Sequence, residues 1–258
     1  MTEIELRFFQ RVPNLLARIT DSLECMAGNG GGVTDAQQAG QAPEAQPQVT
    51  QSQDAQSQPV AIDLGLPSGT LWCDRNVGAK SPEDYGALFS WGNTDPHYPK
   101  AKNTDWGDED DAFDGYPFDR DTYEQTAGYK LDGDIDLAHD AARVNMGEPW
   151  RMPTREQFEE LCDHCTWTRK TVNGVNGYLV TSKINGNSIF FACSGGGHGT
   201  TWYNRGSYGY YWSSSLNSST YGRYLGFYSG GVYPQYLNDR FYGFCVRPVQ
   251  NIIPTAKE

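Results

Sequence analysis

The chain has 258 residues, 38% of them hydrophobic, and a formal net charge of −12 at pH 7. Its isoelectric point near 4.7 excludes a nucleic-acid partner, whose phosphates require a basic footprint, and disfavours an anionic membrane surface. No apolar run reaches the ~20 residues needed to span a bilayer, so membrane insertion is not expected.

Residues 2–9 alternate, with Ile4, Leu6 and Phe8 against Glu3, Glu5 and Arg7, which predicts a strand. This opening is acidic and has no uninterrupted apolar core, so it is not read as a secretory signal, and cytoplasmic synthesis is expected. Pro13 suits the first turn of a helix. Val12, Leu15, Leu16, Ile19, Leu23 and Met26 follow at spacings of three and four, and Gly28 ends the run. One strand and one helix cannot bury such a face alone. Residues 1–27 are therefore read as an assembly or docking element. Residues 28–59, built of Gly, Ala, Gln, Pro, Ser and Thr, read as a flexible linker.

A globular domain is expected over 60–250, with a tail at 251–258. Ile62 to Trp72 predicts two strands around a Pro-Ser-Gly turn, and Asn76–Ala79 and Tyr85–Gly92 continue that pattern. Residues 104–136 are strongly acidic. Asp132, Asp134 and Asp136 imitate the start of an EF-hand loop, but Leu137 stands where glycine is needed and Arg143 where the bidentate Glu is needed. The segment reads as a solvated insertion. Hard oxygens suit calcium, yet no motif supports it, and no cofactor is expected. Thr154 and Gln157 form a capping box ahead of a helix whose Phe158, Leu161, Cys162 and Cys165 share a face. Gly177–Thr181 and Ser188–Ala192 predict strands joined through Asn185-Gly186, a hairpin signal.

Six cysteines and four histidines supply no catalytic constellation. Cys162 and Cys165 lie at the carboxyl end of their helix, whereas a redox pair needs the amino end, where the dipole lowers the thiol pKa. A zinc site needs a second ligand pair, and Cys193 with His198 does not provide one. Nucleophile, phosphate-loop and metalloprotease motifs are missing. No catalytic residue and no metal ligand is assigned, and an enzyme is not expected.

Ten of the sixteen tyrosines fall between residues 195 and 249, among Gly, Ser and Asn. Tyr gives rigid amphipathic contact area and its small neighbours give adaptable hydrogen bonding, the composition of a binding surface. In residues 223–228, Leu225 and Phe227 point to one side of a strand, and Tyr224, Gly226 and Tyr228 to the other. Ser229-Gly230-Gly231 predicts a hairpin turn. Leu237-Asn238-Asp239 reads as a polar break, and Phe244 and Val246 as one face of a last strand. A Tyr-rich sheet with cross-strand aromatic pairs and no partner has the same composition, so composition leaves both readings open.

Four segments, at 62–93, 140–167, 173–191 and 210–249, together resemble the C-type-lectin-fold variable proteins of diversity-generating retroelements, of the type found in Bacteroidales and their phages. The most specific parts are Trp150-Arg151-Met152-Pro153-Thr154 and the ending Gly243-Phe244-Cys245-Val246-Arg247-Pro248-Val249. The resemblance implies an α+β domain of the formylglycine-generating-enzyme-like branch of the C-type-lectin fold. It implies a variable region, here about 195–249, whose codons change at adenines and whose side chains meet a cell-surface protein or glycan. On a phage the protein sits in the virion, on the tail, and selects the host. A tail or other assembly partner would then be met through residues 1–27, and a homo-oligomer, by analogy a trimer, is expected. The positions that satisfy the codon rule are Tyr203, Asn204, Tyr208, Asn217, Tyr221, Arg223, Tyr224, Gly226, Tyr228, Tyr233, Tyr236, Leu237, Asn238, Asp239, Phe241 and Tyr242. Leu225, Phe227, Trp212 and Gln235 are expected to stay fixed. Other readings are a fixed adhesin or structural tail protein, and an oxidoreductase of the formylglycine-generating type. The oxidoreductase requires a cysteine pair within disulfide range lining a cleft.

Overall fold

In the computed structural model of this chain the described residues are 58–100, 112–113 and 115–251, all within the unit Gln53–Glu258. The strand and helix predicted over 1–27, Cys25, nearly all of the linker, the acidic residues 104–111 and the tail past 251 lie outside the described residues.

The fold is mostly β, with three short α-helices among the described residues. β1 (Ala61–Asp63) and β2 (Thr70–Cys73) pair antiparallel, and β11 (Val249–Asn251) closes on the far side of β2. Helices α1 (Arg120–Tyr123) and α2 (Ala141–Met146) follow, then α3 (Arg155–His164). The second sheet is a meander of β3 (Cys165–Val172), β4 (Val175–Ser182) and β5 (Ser188–Ala192). A small hairpin of β6 (Gly196–His198) and β7 (Thr201–Tyr203) leads into the third sheet. That sheet is another meander, β8 (Gly209–Leu216), β9 (Tyr221–Tyr228) and β10 (Gly231–Asp239), with β9 in the middle. Among the described residues no helix is long and apolar enough to cross a membrane.

Local chemistry explains most of these elements. Thr154 Oγ1 accepts from the Gln157 N–H at 3.3 Å, and the Gln157 side chain accepts from the Thr154 N–H at 3.0 Å, so the capping box opens α3 as predicted. Gln157 also donates to Thr70 Oγ1 at 2.7 Å, tying the helix start to β2. Asn173 and Gly174 take φ of 47° and 82°, the positive pair that a tight two-residue hairpin needs. β3 itself is missed by alternation. It is an edge strand whose Thr166, Arg169, Lys170 and Thr171 are exposed, and such polarity protects an edge from foreign pairing.

Four expectations need correction. Neither Asn76–Ala79 nor Tyr85–Gly92 forms a strand, and the stretch 243–246 makes only isolated bridges where a last strand is expected. Leu88 bridges His97 and Phe89 bridges Phe244, single contacts made by a chain whose Phe89 and Trp91 are buried. Leu237-Asn238-Asp239 does not break the chain but continues β10, because Arg223, Gly222 and Tyr221 of β9 supply its backbone partners.

The third sheet separates two apolar clusters. On one side Tyr211, Leu225 and Phe227 join Trp72, Phe158, Leu161, Val180 and Phe191. On the other Trp212 and Tyr224 join Phe89, Trp91, Met152, Phe244 and Val246. Alternation thus assigns Phe244 and Val246 to one face correctly, with Cys245 turned into the first cluster. Arg247 is fully buried between β2 and β5. It donates to Asn76 Oδ1 at 2.8 Å, Cys73 O at 3.1 Å and Phe190 O at 2.7 Å, and its guanidinium lies 4.5 Å over the Phe191 ring.

Candidate ligand-binding face

The face starts from the register of β9. Gly226 stands opposite Tyr210 on β8 and Tyr233 on β10, and Tyr224 opposite Trp212 and Tyr236. Opposed residues share a face of the sheet. Tyr233 and Tyr236 are three apart and should point to opposite sides. Between them β10 takes three steps while β9 takes two, from Gly226 to Tyr224. That one-residue bulge returns Tyr236 to the face of Tyr233.

The tyrosines then stack. Tyr210, Tyr208, Tyr228, Tyr233 and Tyr236 follow one another at ring centroid distances of 5.8, 5.0, 5.7 and 4.6 Å, all nearly parallel. Tyr224 closes the circuit at a steeper angle, 5.8 Å from Tyr236 and 5.9 Å from Tyr210. Gly226 is the floor of this ring of six. A Cβ there would lie 2.9 Å from Tyr236 Cδ2 and 3.0 Å from Tyr224 Cε2. The inner rim rests on the second apolar cluster, with Tyr210 and Tyr224 at 5.0 and 4.9 Å from Phe244. Stacking spends the ring faces on one another, so hydroxyls and ring edges are what a ligand meets. Tyr228 and Tyr233 hydroxyls lie 3.4 Å apart, and Asn204 Nδ2 donates to the Tyr210 hydroxyl at 3.0 Å. Burial pushes the Tyr210 hydroxyl up to about 12 and raises Tyr224 further, while the hydrogen bond with Tyr233 raises Tyr228. These three hydroxyls are neutral at neutral pH and able to donate and accept.

A second aromatic group adjoins the ring through Tyr203, 5.7 Å from Tyr210 and 6.2 Å from Tyr242. Tyr242 stacks on His198 at 4.6 Å and meets Phe241 at 5.0 Å. From α1, Arg120 reaches over the Phe241 ring at 5.9 Å and pairs with Asp239 at 3.6 Å.

The sixteen candidate positions do not share one face. Tyr221 pairs with Asp239 and Arg223 with Leu237, which puts these four on the Leu225 side of the sheet, beyond its buried part. Tyr221 and Leu237 are 42% and 45% exposed there. Asn238, opposite Gly222, stays on the tyrosine side, and Asn217 is exposed between β8 and β9. The row is also not uniformly open, since Tyr224 is only 8% exposed and Gly226 is buried. Sequence reasoning overlooked Tyr210, which alternation from Tyr208 through Trp212 marks as part of the same face. It also overlooked His198 and Arg120, for which the sequence carries no signal.

Other chemistry finds little support. The five described cysteines are all free, and burial raises every one: Cys73, Cys165 and Cys193 to about 11, Cys162 and Cys245 to about 12. They are thiols at neutral pH, and the thiolate is the reactive form. Among the described residues no group of three or more His, Cys, Asp or Glu is placed to hold a metal ion. Asp134 instead accepts from the Leu216 N–H at 2.8 Å, and Asp136 binds the His139 imidazole at 2.8 Å. Compared with known proteins, the chain matches no family model, no curated protein and no solved structure.

Proposed function

We propose that this protein is a diversified ligand-binding protein of the C-type-lectin fold, a variable protein of a diversity-generating retroelement that recognises a cell-surface protein or glycan. Its place is the virion, on a phage tail, with residues 1–27 attaching it to the assembly. The observation that carries the reading is the ring of six tyrosines on β8, β9 and β10. It is an amphipathic patch on a three-stranded sheet, half-buried at Tyr208, Tyr210, Tyr228 and Tyr233 and open at Tyr236, and a clustered aromatic patch of this kind marks an interaction site. Substitution at the outer rim, at Tyr228, Tyr233, Tyr236 and Asn238, leaves the core beneath intact. Leu225 and Phe227 have no such freedom, being fully buried.

Sequencing the encoding gene deeply in a growing population, codon by codon over 195–249, tests the reading. Variation confined to the candidate positions, sparing Leu225, Phe227, Trp212 and Gln235, is the expected result. An invariant gene, or changes spread evenly over core and surface, sinks diversification and leaves a fixed adhesin or structural tail protein.

A further inference from the structure

A cavity of about 370 Å3 lies apart from the tyrosine face, and none of the candidate positions lines it. Its walls are the stretch 92–97, Tyr116, residues 125–127 and the turn at 138–139. The volume is in the ~300–1,000 Å3 range of small-molecule sites.

The walls are preformed. Gly92 and Gly128 hold two of them in backbone contact, so close that a Cβ on Gly128 would lie 2.8 Å from the Gly92 carbonyl carbon. His97 exchanges backbone hydrogen bonds with Leu88 at 3.0 and 3.1 Å, and its ring stacks on Tyr116 at 3.5 Å. Asn145 fixes the Thr94 carbonyl at 2.9 Å, and Asp136 fixes the His139 ring.

The lining is polar and nearly balanced. Asn93 and Gln125 bring amides, Thr126 a hydroxyl, Asp95 a carboxylate and His97 an imidazole. Neither Asp95 nor the His97 ring makes a hydrogen bond among the described residues. Burial keeps His97 below its ordinary value, so the ring is neutral and offers one donor and one acceptor. An anion would meet Asp95. The Gln125 amide already donates to Asp121 O at 3.0 Å, the Thr126 hydroxyl to Tyr123 O at 2.7 Å, and Asn93 hydrogen-bonds Tyr116, so the groups an apolar guest would leave without partners are the Asp95 carboxylate, the His97 imidazole and the Gln125 side-chain carbonyl. Vicinal hydroxyls, each able to donate and accept, satisfy the whole set.

We propose that this cavity binds a neutral, polyhydroxylated small molecule of monosaccharide size, with Asp95 and His97 taking adjacent hydroxyls and Asn93 and Gln125 bracketing them. The site is independent of the tyrosine face and of the reading given to it.

Saturation-transfer NMR on the full chain tests this, with glucose, galactose, mannose, N-acetylglucosamine and myo-inositol offered singly at millimolar concentration. At least one should receive transfer. Its signal should vanish in Asp95→Ala, its affinity should drop about tenfold or more in Gln125→Ala, and Tyr236→Ala should leave it unchanged. Asp95 and Gln125 are exposed, so both variants should melt like the parent. Absence of transfer to all five probes overturns the proposal. So does binding that survives both cavity variants, and so does loss in Tyr236→Ala, which would move the sugar to the tyrosine face. Spermidine binding through Asp95 with no sugar bound would replace the neutral ligand by a cation.

Discussion

Gly226 has tyrosines on four sides, Tyr224 and Tyr228 along β9 and Tyr210 and Tyr233 across it. A side chain there must push Tyr236 outward or Tyr224 into the core. Tyr236 is 39% exposed and can yield, whereas Tyr224 is packed against Phe244. Gly226→Val should therefore cost about 1–3 kcal/mol by overpacking, read as a lower urea midpoint with unchanged slope. Arg247 poses the opposite case. Its three donors satisfy Asn76, Cys73 and Phe190 where the side chain is fully buried. Arg247→Met fills some of the volume but strands three acceptors, so a loss of about 3 kcal/mol or more is expected in the same measurement. Arg247→Lys should rescue little, because a single ammonium cannot reproduce the planar fork.

At the scale of the element, the start of α3 and the bulge in β10 matter most. Removing the cap with Thr154→Ala should destabilise by about 1 kcal/mol. Gln157→Ala should cost more than Thr154→Ala, since Gln157 also holds Thr70 and accepts from Arg151 at 2.9 Å. Urea denaturation of the two variants side by side decides the order. Deleting Gln235 removes the extra residue, so Tyr236 falls two places after Tyr233 and keeps to its side of the sheet, opposite Tyr224, without a bulge. The expected result is a folded protein that keeps the ring-current-shifted Tyr233 and Tyr236 resonances; loss of those shifts would show that the stack needs the bulge itself and not only a shared face. The capping box was legible from four residues. The bulge was not, because nothing in Tyr233-Pro234-Gln235-Tyr236 states how many steps β9 takes alongside.

For the whole molecule, buried thiols and phenols tie stability to pH. Cys73, Cys193 and Cys245 are nearly inaccessible and keep their protons past the ordinary value of 9.0, up to about 11 or 12. Unfolding lets these thiols ionise from about pH 9 upward. The stabilisation they give is fully present below that pH and is lost as pH rises toward their folded values, by at most about 1.4 kcal/mol per pH unit for each. Buried Tyr211 and Tyr224, raised by desolvation, act in the same direction. Thermal melts should hold steady from neutral pH to about pH 9 and fall steeply beyond it. A flat profile to pH 11 would contradict the burial of these groups.

Residue order by itself determined which strands and helices could form wherever one rule dominates. Alternation put Leu225 and Phe227 inside, the capping box opened α3, and glycine placed the turn after Tyr228, because period, cap and φ are local properties. Only the tertiary structure decided the candidate face. Tyr210 belongs to it through cross-strand register, Tyr236 through a bulge, and Arg120 and His198 through contacts over long sequence separation. Arg223 and Leu237 left it for the same reason, since the side a strand residue shows to water depends on what packs against each face, and that is a property of the partners and not of the strand.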